Sequence, residues 1–343
     1  MIPRPLLPLA LSCALATGAT AQSSVSTDHD AIRTRALTVL ETQFGAFRDA
    51  AATLEDTARG YCAGTGGQSA LETAFRDAWH AWAPLDSYQF GPVEQLGAAL
   101  SVNFWPDKKN IVGRALDALS QQPAEAQADP ATIAAGSAAA QGLPALERLL
   151  HTDATPCPAI IGISAHLDGM AGDLYAAWFA PDGWAALMRA AGPDNPIYLS
   201  EEEVTRTLFT AADFALTRVA DYRLGRPLGT YERSYPRRAE AWRSGLSAEI
   251  AAAQLRGITE LFDTAFGPAL KPDLRTRFDM TAARAEARLE TLDQPLAEEV
   301  STPSSRIRVE AAQTLVRELQ QLLNGEIGPE LGVETGFSAA DGD

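Results

Sequence analysis

From residue 29 onward, apolar side chains recur at intervals of three and four rather than two, as in Leu37, Leu40, Phe44, Phe47 and Leu54 and again in Leu315, Leu319, Leu322 and Leu323. That period belongs to helices. No sustained alternating run bounded by Asn-Gly or Asp-Gly competes with it, so the chain is expected to be all-α. The pattern predicts helices near 29–59, 68–84, 107–120, 130–151, 159–190, 200–224, 234–254, 256–266, 272–293 and 304–323. Asp129-Pro130 and Thr302-Pro303 each set a capping side chain before a proline at the first helical position, and Ser200 with Glu203 reads as a capping box. Gly225 with Pro227, and Gly267 with Pro268, predict stops. The segment Gly192-Pro193-Asp194-Asn195-Pro196 has no periodicity and separates two sets of helices. It predicts two packed antiparallel four-helix bundles, an N-terminal one over 22–192 and a C-terminal one over 197–343. Gln121 to Pro130 reads as a surface loop, and the glycine-punctuated tail beyond Asn324-Gly325 as a segment ordered by docking.

The first 21 residues break the pattern. A single Arg4 precedes an apolar run from Leu6 to Ala16, and the small residues Ala19-Thr20-Ala21 end the segment as a signal peptidase site does. Export with cleavage between Ala21 and Gln22 is therefore expected. The run is too short to span a bilayer, and no later segment is long and apolar enough, so no transmembrane helix is expected after cleavage. Cys13 lies within the leader in a poor match to a lipoprotein box. Cys62 and Cys157 then remain as an even pair in an oxidising compartment, where a disulfide is the expected state.

Length and charge narrow the function. At 343 residues the chain is long enough for about two domains, and its 44 acidic against 28 basic residues give a net charge of −16. Such a chain is repelled by nucleic acid and by anionic membrane surfaces. The zinc, P-loop, nucleophile-elbow and CxxC signatures are missing. Three local features carry chemistry. Glu147 and His151, at i and i+4, share a helical face and form a candidate metal-ligating pair; the alternative is a surface acid beside a helix-terminal histidine. His80, between Trp79 and Trp82, reads as a histidine satisfied within the bundle. Two aromatic and proline breaks, Tyr88 to Pro92 and Phe104-Trp105-Pro106-Asp107, interrupt helical sequence where ligands often meet main chain, with Asp107 as a helix cap the plainer reading. Finally Arg218, Arg223, Arg226, Arg233, Arg237, Arg238 and Arg243 lie among Tyr222, Tyr231, Tyr235 and Trp242, a local reversal of sign. Guanidinium forks bind carboxylate, sulfate or phosphate; pairing with the chain's own carboxylates is the competing use.

Several words in order make the chain resemble the imelysin-like family of bacterial cell-envelope proteins. They are FGP at 90–92, FWPD at 104–107, GLPALERLL at 142–150, the arginine-rich stretch from Leu224 to Ser247, and GFSAADGD at 336–343. The resemblance implies two packed helical bundles with a ligand site in the crevice between them. It also implies a periplasmic or outer-surface location and an association with iron uptake or iron regulation. The family's peptidase activity is tied to a GxHxxE word. Here Glu147 stands, but Pro144 occupies the histidine position, so the chain resembles the branch lacking that ligand, for which the resemblance implies binding rather than hydrolysis.

The leading expectation is a small anion, a metal ion (iron being the candidate cofactor) or a metal chelate bound between the halves. Trp105, Asp107 and Glu147 would line the first side, and Arg233, Arg238 and Trp242 the second, with no catalytic residue assigned. A second reading is a metallopeptidase with Glu147 as general base and His151 or His80 as replacement ligand. A third is a scaffold for an envelope protein partner.

Overall fold

The structure is a computed structural model that describes residues 27–152 and 156–333. The leader, its cleavage site, Cys13 and the closing GFSAADGD word lie outside the described residues. Within them the chain is all-α, and no strand occurs. The long helices are α1 (His29–Cys62), α2 (Gln68–Leu85), α3 (Ile111–Ser120), α4 (Leu143–Leu150), α5 (Cys157–Phe179), α6 (Glu201–Thr217), α7 (Ser247–Leu261), α8 (Pro272–Glu290) and α9 (Pro303–Leu322). Helix α1 packs on α2 and α5, α2 on α7, α7 on α8, and α8 on α9, which returns to α6. The halves therefore meet helix against helix, and one buried apolar cluster runs through both. Its large members are Phe44, Phe47, Trp82 and Trp178 on one side and Phe209, Phe262, Phe266 and Phe278 on the other.

The predicted caps form. Asp129 accepts from the amides of Ala131 and Thr132, Thr302 from Ser305, and Ser200 from Glu203, whose own carboxylate reaches back to the Leu199 amide. The disulfide between Cys62 and Cys157 joins the end of α1 to the start of α5. Closing a loop of this separation, 95 residues, stabilises the fold by about 4–5 kcal/mol in the chain-entropy account.

Several predicted helices are shorter than their periodicity suggested, and each difference has a local cause. The 107–120 helix starts only at Ile111, because the Asp107 carboxylate takes the amides of Ile111 (2.5 Å) and Val112 (3.2 Å), and Asn110 sits in the left-handed region. The 130–151 helix ends at Ala135 before Gly136, passes through a 3₁₀ turn at Ala138–Ala140 and resumes at Leu143 after Gly142, where a Cβ would lie 2.2 Å from the Val102 carbonyl oxygen and only glycine lets the two backbones approach so closely. The 159–190 helix ends at Phe179, because Ala180 is held extended before Pro181, and resumes at Trp184. Gly225 does not stop its helix: α6 passes into a π-turn over Arg218–Leu224, continues to Leu228, and ends at Gly229, whose φ is 65°. Residues 234–254 depart most, being irregular up to Leu246 apart from one 3₁₀ turn. From Ser247, α7 runs on through Arg256 without the expected break.

Candidate functional site

A cavity of about 700 Å³ lies between the halves, walled by the 104–112 loop and α4 on one side and by Arg226 and residues 237–243 on the other. The walls are held from beneath. Ser101 is hydrogen-bonded to Gln141 (2.8 Å) and to a ring nitrogen of His166 (3.0 Å), fixing the turn before the loop against α5. Burial pushes the His166 pKa below its ordinary 6.5, with Asp173 opposing. On the α4 wall Glu147 is buried, and its Oε1 reaches the opposite wall, accepting from the amides of Arg243 and Ser244 (both 2.9 Å) and from the Ser244 hydroxyl (3.0 Å). Those amides are thereby withdrawn from helical pairing. Glu147 thus holds the irregular 241–246 turn open as a wall rather than letting it wind into α7.

Behind the cavity lies a buried ionic network. The π-turn presents Arg218, Tyr222 and Arg223 toward the interface; π-turns of this kind often mark functional sites. Arg223, 1% exposed, donates to Glu240 (2.5 Å), to Asp86 (3.0 Å) and to Gln254, and Arg218 donates to Asp86 (2.6 Å). Asn103 joins Glu240 (2.7 Å) and Asp86 (3.3 Å) through its amide nitrogen. The network therefore ties the turns after α2 to α6 and α7.

The arginines facing the cavity are held differently. Arg237 and Arg243 stack on Trp242 at 5.5 and 4.4 Å, Arg238 stacks on Tyr235 at 3.8 Å, and Arg226 on Tyr222 at 4.6 Å and Trp105 at 5.7 Å. Arg226, Arg237 and Arg238 pair with no carboxylate among the described residues, although the chain is strongly acidic. Arg243 has Glu147 at 3.7 Å, yet burial lowers its pKa, with Glu147 opposing and Arg148 adding to the effect. At the floor, the indole nitrogen of Trp79 is buried without an acceptor.

Of the residues named from sequence, Trp105, Asp107, Glu147, Arg238 and Trp242 line this cavity. Arg233 does not; it is exposed beyond the wall, stacked on the far member of the group, Tyr235, at 5.1 Å. Its turn is set by Gly229, where a Cβ would meet the Arg233 carbonyl oxygen at 2.4 Å. His151 is exposed at the end of α4, its amide closes the last helical turn on the Glu147 carbonyl oxygen, and it does not line the cavity that holds the Glu147 carboxylate. His80 faces Glu249 at 3.3 Å in a separate depression, with burial lowering its pKa. No group of three or more His, Cys, Asp or Glu gathers among the described residues. Residues missed from sequence are Trp79, whose role needs the tertiary packing, and Arg148, which bonds Asn110 at 2.6 Å. Pro144, at the position of the family's histidine, also lines the cavity.

The Imelysin family model matches residues 41–323. The chain belongs to the imelysin family. Among solved structures, an imelysin-like protein from Psychrobacter arcticum 273-4 superposes with a TM-score of 0.75 at 20% identity, covering 91% of this chain and 100% of that one. A putative iron-regulated protein A precursor from Parabacteroides distasonis ATCC 8503 superposes with a TM-score of 0.75 at 12% identity, covering 91% of this chain and 97% of that one. Identities this low establish a shared fold. No curated protein matches the chain in sequence. No helix among the described residues of this imelysin-family chain is long and apolar enough to cross a membrane.

Proposed function

We propose that this imelysin-family chain is an exported cell-envelope protein that binds a small carboxylate-bearing anion, free or as its ferric chelate, in the cavity between its two bundles. The observation that carries this reading is the set Arg226, Arg237 and Arg238. Three guanidinium groups face one cavity, stacked on aromatic rings rather than neutralised, in a protein with carboxylates to spare. Stacking orients each fork and leaves its N–H groups for a ligand. The unpartnered indole N–H of Trp79 adds a donor of the same polarity at the floor.

Direct capture of a bare metal ion by Glu147 and His151 fits less well. One oxygen of the Glu147 carboxylate, Oε1, already accepts from two amides and a hydroxyl, the other has Arg243 at 3.7 Å, and six basic side chains, Lys108, Arg148, Arg226, Arg237, Arg238 and Arg243, would oppose a cation. The same three hydrogen bonds argue against Glu147 as the general base of a peptidase, which needs a carboxylate facing substrate. Export rests on the leader of the sequence, and the iron connection on the family resemblance and on the iron-regulated relative of like fold.

The experiment is a thermal-shift series with citrate, ferric citrate and a ferric salt. The reading predicts a concentration-dependent rise in Tm with citrate and ferric citrate and none with the ferric salt alone. A rise with the salt alone, or none with any of the three, would overturn it.

A further inference from the structure

A second cavity of about 500 Å³ adjoins the first and shares Phe104, Trp105, Pro106, Lys108 and Arg226 with it, so the two meet along one aromatic edge. Its polarity is reversed at the inner end, where Asp86 and Asn103 lie, each 1% exposed. Asp86 spends Oδ2 on Arg218, Arg223 and Asn103, while the Asn103 amide nitrogen is shared between Asp86 and Glu240. Because that nitrogen faces two carboxylates, the orientation of the Asn103 amide is fixed and its oxygen lies on the other side. Asp86 Oδ1 and Asn103 Oδ1 are both buried and accept no hydrogen bond. Both residues line the smaller cavity, and buried acceptors left unpaired call for a donor. Arg218, Arg226, Lys108 and Lys109 line the same cavity, which disfavours an ammonium group or metal cation in that place and leaves a neutral hydroxyl as the fitting donor.

We propose that the smaller cavity is a second subsite of the same cleft, and that the ligand class is a polyhydroxylated carboxylate. Its carboxylate meets the stacked arginines of the larger cavity, and its hydroxyls donate to Asp86 and Asn103. The proposal rests on the anion-binding reading of the larger cavity and adds the half of the ligand that the arginines do not address.

The test uses calorimetric titration of the chain with gluconate and hexanoate, matched in carbon number and charge and differing in hydroxyls. Gluconate is expected to bind at least tenfold more tightly. Leu100→Trp, which fills the smaller cavity from a position 58% exposed, is expected to bring gluconate to the hexanoate affinity while leaving hexanoate unchanged. Ala99→Phe on the same wall is the substitute if Leu100→Trp fails to fold. Equal affinities in the unmodified chain, or gluconate binding unaffected by the filled cavity, would overturn the subsite and leave the anion reading standing. Failure of both carboxylates and of citrate to bind would overturn the anion reading and the subsite with it.

Discussion

Two arginines 15 residues apart in the same basic stretch, Arg223 and Arg238, meet opposite fates. Arg223 is sealed at the interface, its guanidinium divided among Asp86, Glu240 and Gln254. Arg238 is exposed, lies over the Tyr235 ring, and touches no carboxylate among the described residues. The difference lies in what the fold sets opposite each. The π-turn aims Arg223 into acids brought by α2 and residue 240, whereas the 3₁₀ turn at Pro236–Arg238 leaves its arginines at an aromatic wall. One population ties α2, α6 and α7 together, and the other faces the cavity with its guanidinium groups unpaired among the described residues.

The comparison is broken most severely at Arg223. Arg223→Ala should destabilise the fold by about 3–5 kcal/mol, since it leaves Asp86 and Glu240 buried without their main partner. Urea unfolding with the slope checked for a constant m-value measures it. A smaller effect is expected at Glu147. Glu147→Ala strands the amides of Arg243 and Ser244 and should cost about 1–3 kcal/mol, whereas Glu147→Gln keeps an acceptor and should cost markedly less. Equal losses would mean that charge, not the amide pairing, holds the turn.

Next comes acidification. Burial keeps the His166 and His80 pKa values below the ordinary 6.5, so the unfolded chain takes up protons first as pH falls. Stability is therefore full above about pH 6.5 and declines as pH drops toward the folded values. His166→Gln should flatten part of that decline in unfolding curves compared at neutral and mildly acidic pH. Smallest is the effect of Arg238→Ala on stability, about 0.5–1 kcal/mol for a lost ring contact. A loss as large as that at Arg223 would erase the distinction between the two populations.

Most of the helical framework was legible because 3.6-residue periodicity and side-chain caps are local signals, as at Asp129, Ser200 and Thr302. The site was legible in its words but not in its roles. Residues 234–246 fall inside a helix expected over 234–254, yet the Arg243 and Ser244 amides are claimed by Glu147, 96 and 97 positions earlier in the chain, and no local pattern shows that. The arginine concentration was visible, but which members would meet Asp86 and Glu240 and which would face the cavity depended on the π-turn and on packing of α2 against α7. Trp105 and Asp107 stood out as breaks in the periodicity, and Asp107 proves to be both a cap of α3 and a wall of the cavity.

A ligand role for the aromatic-stacked arginines makes a direct demand on binding. Titrating citrate into the unmodified chain and into Arg237→Ala/Arg238→Ala, with Tm recorded for both, tests it most directly. The account predicts saturable binding that weakens at least tenfold in the variant, as loss of charge-assisted hydrogen bonds of about 1.5–3 kcal/mol requires, while Tm changes little. Citrate binding undiminished in a variant that stays folded would contradict it.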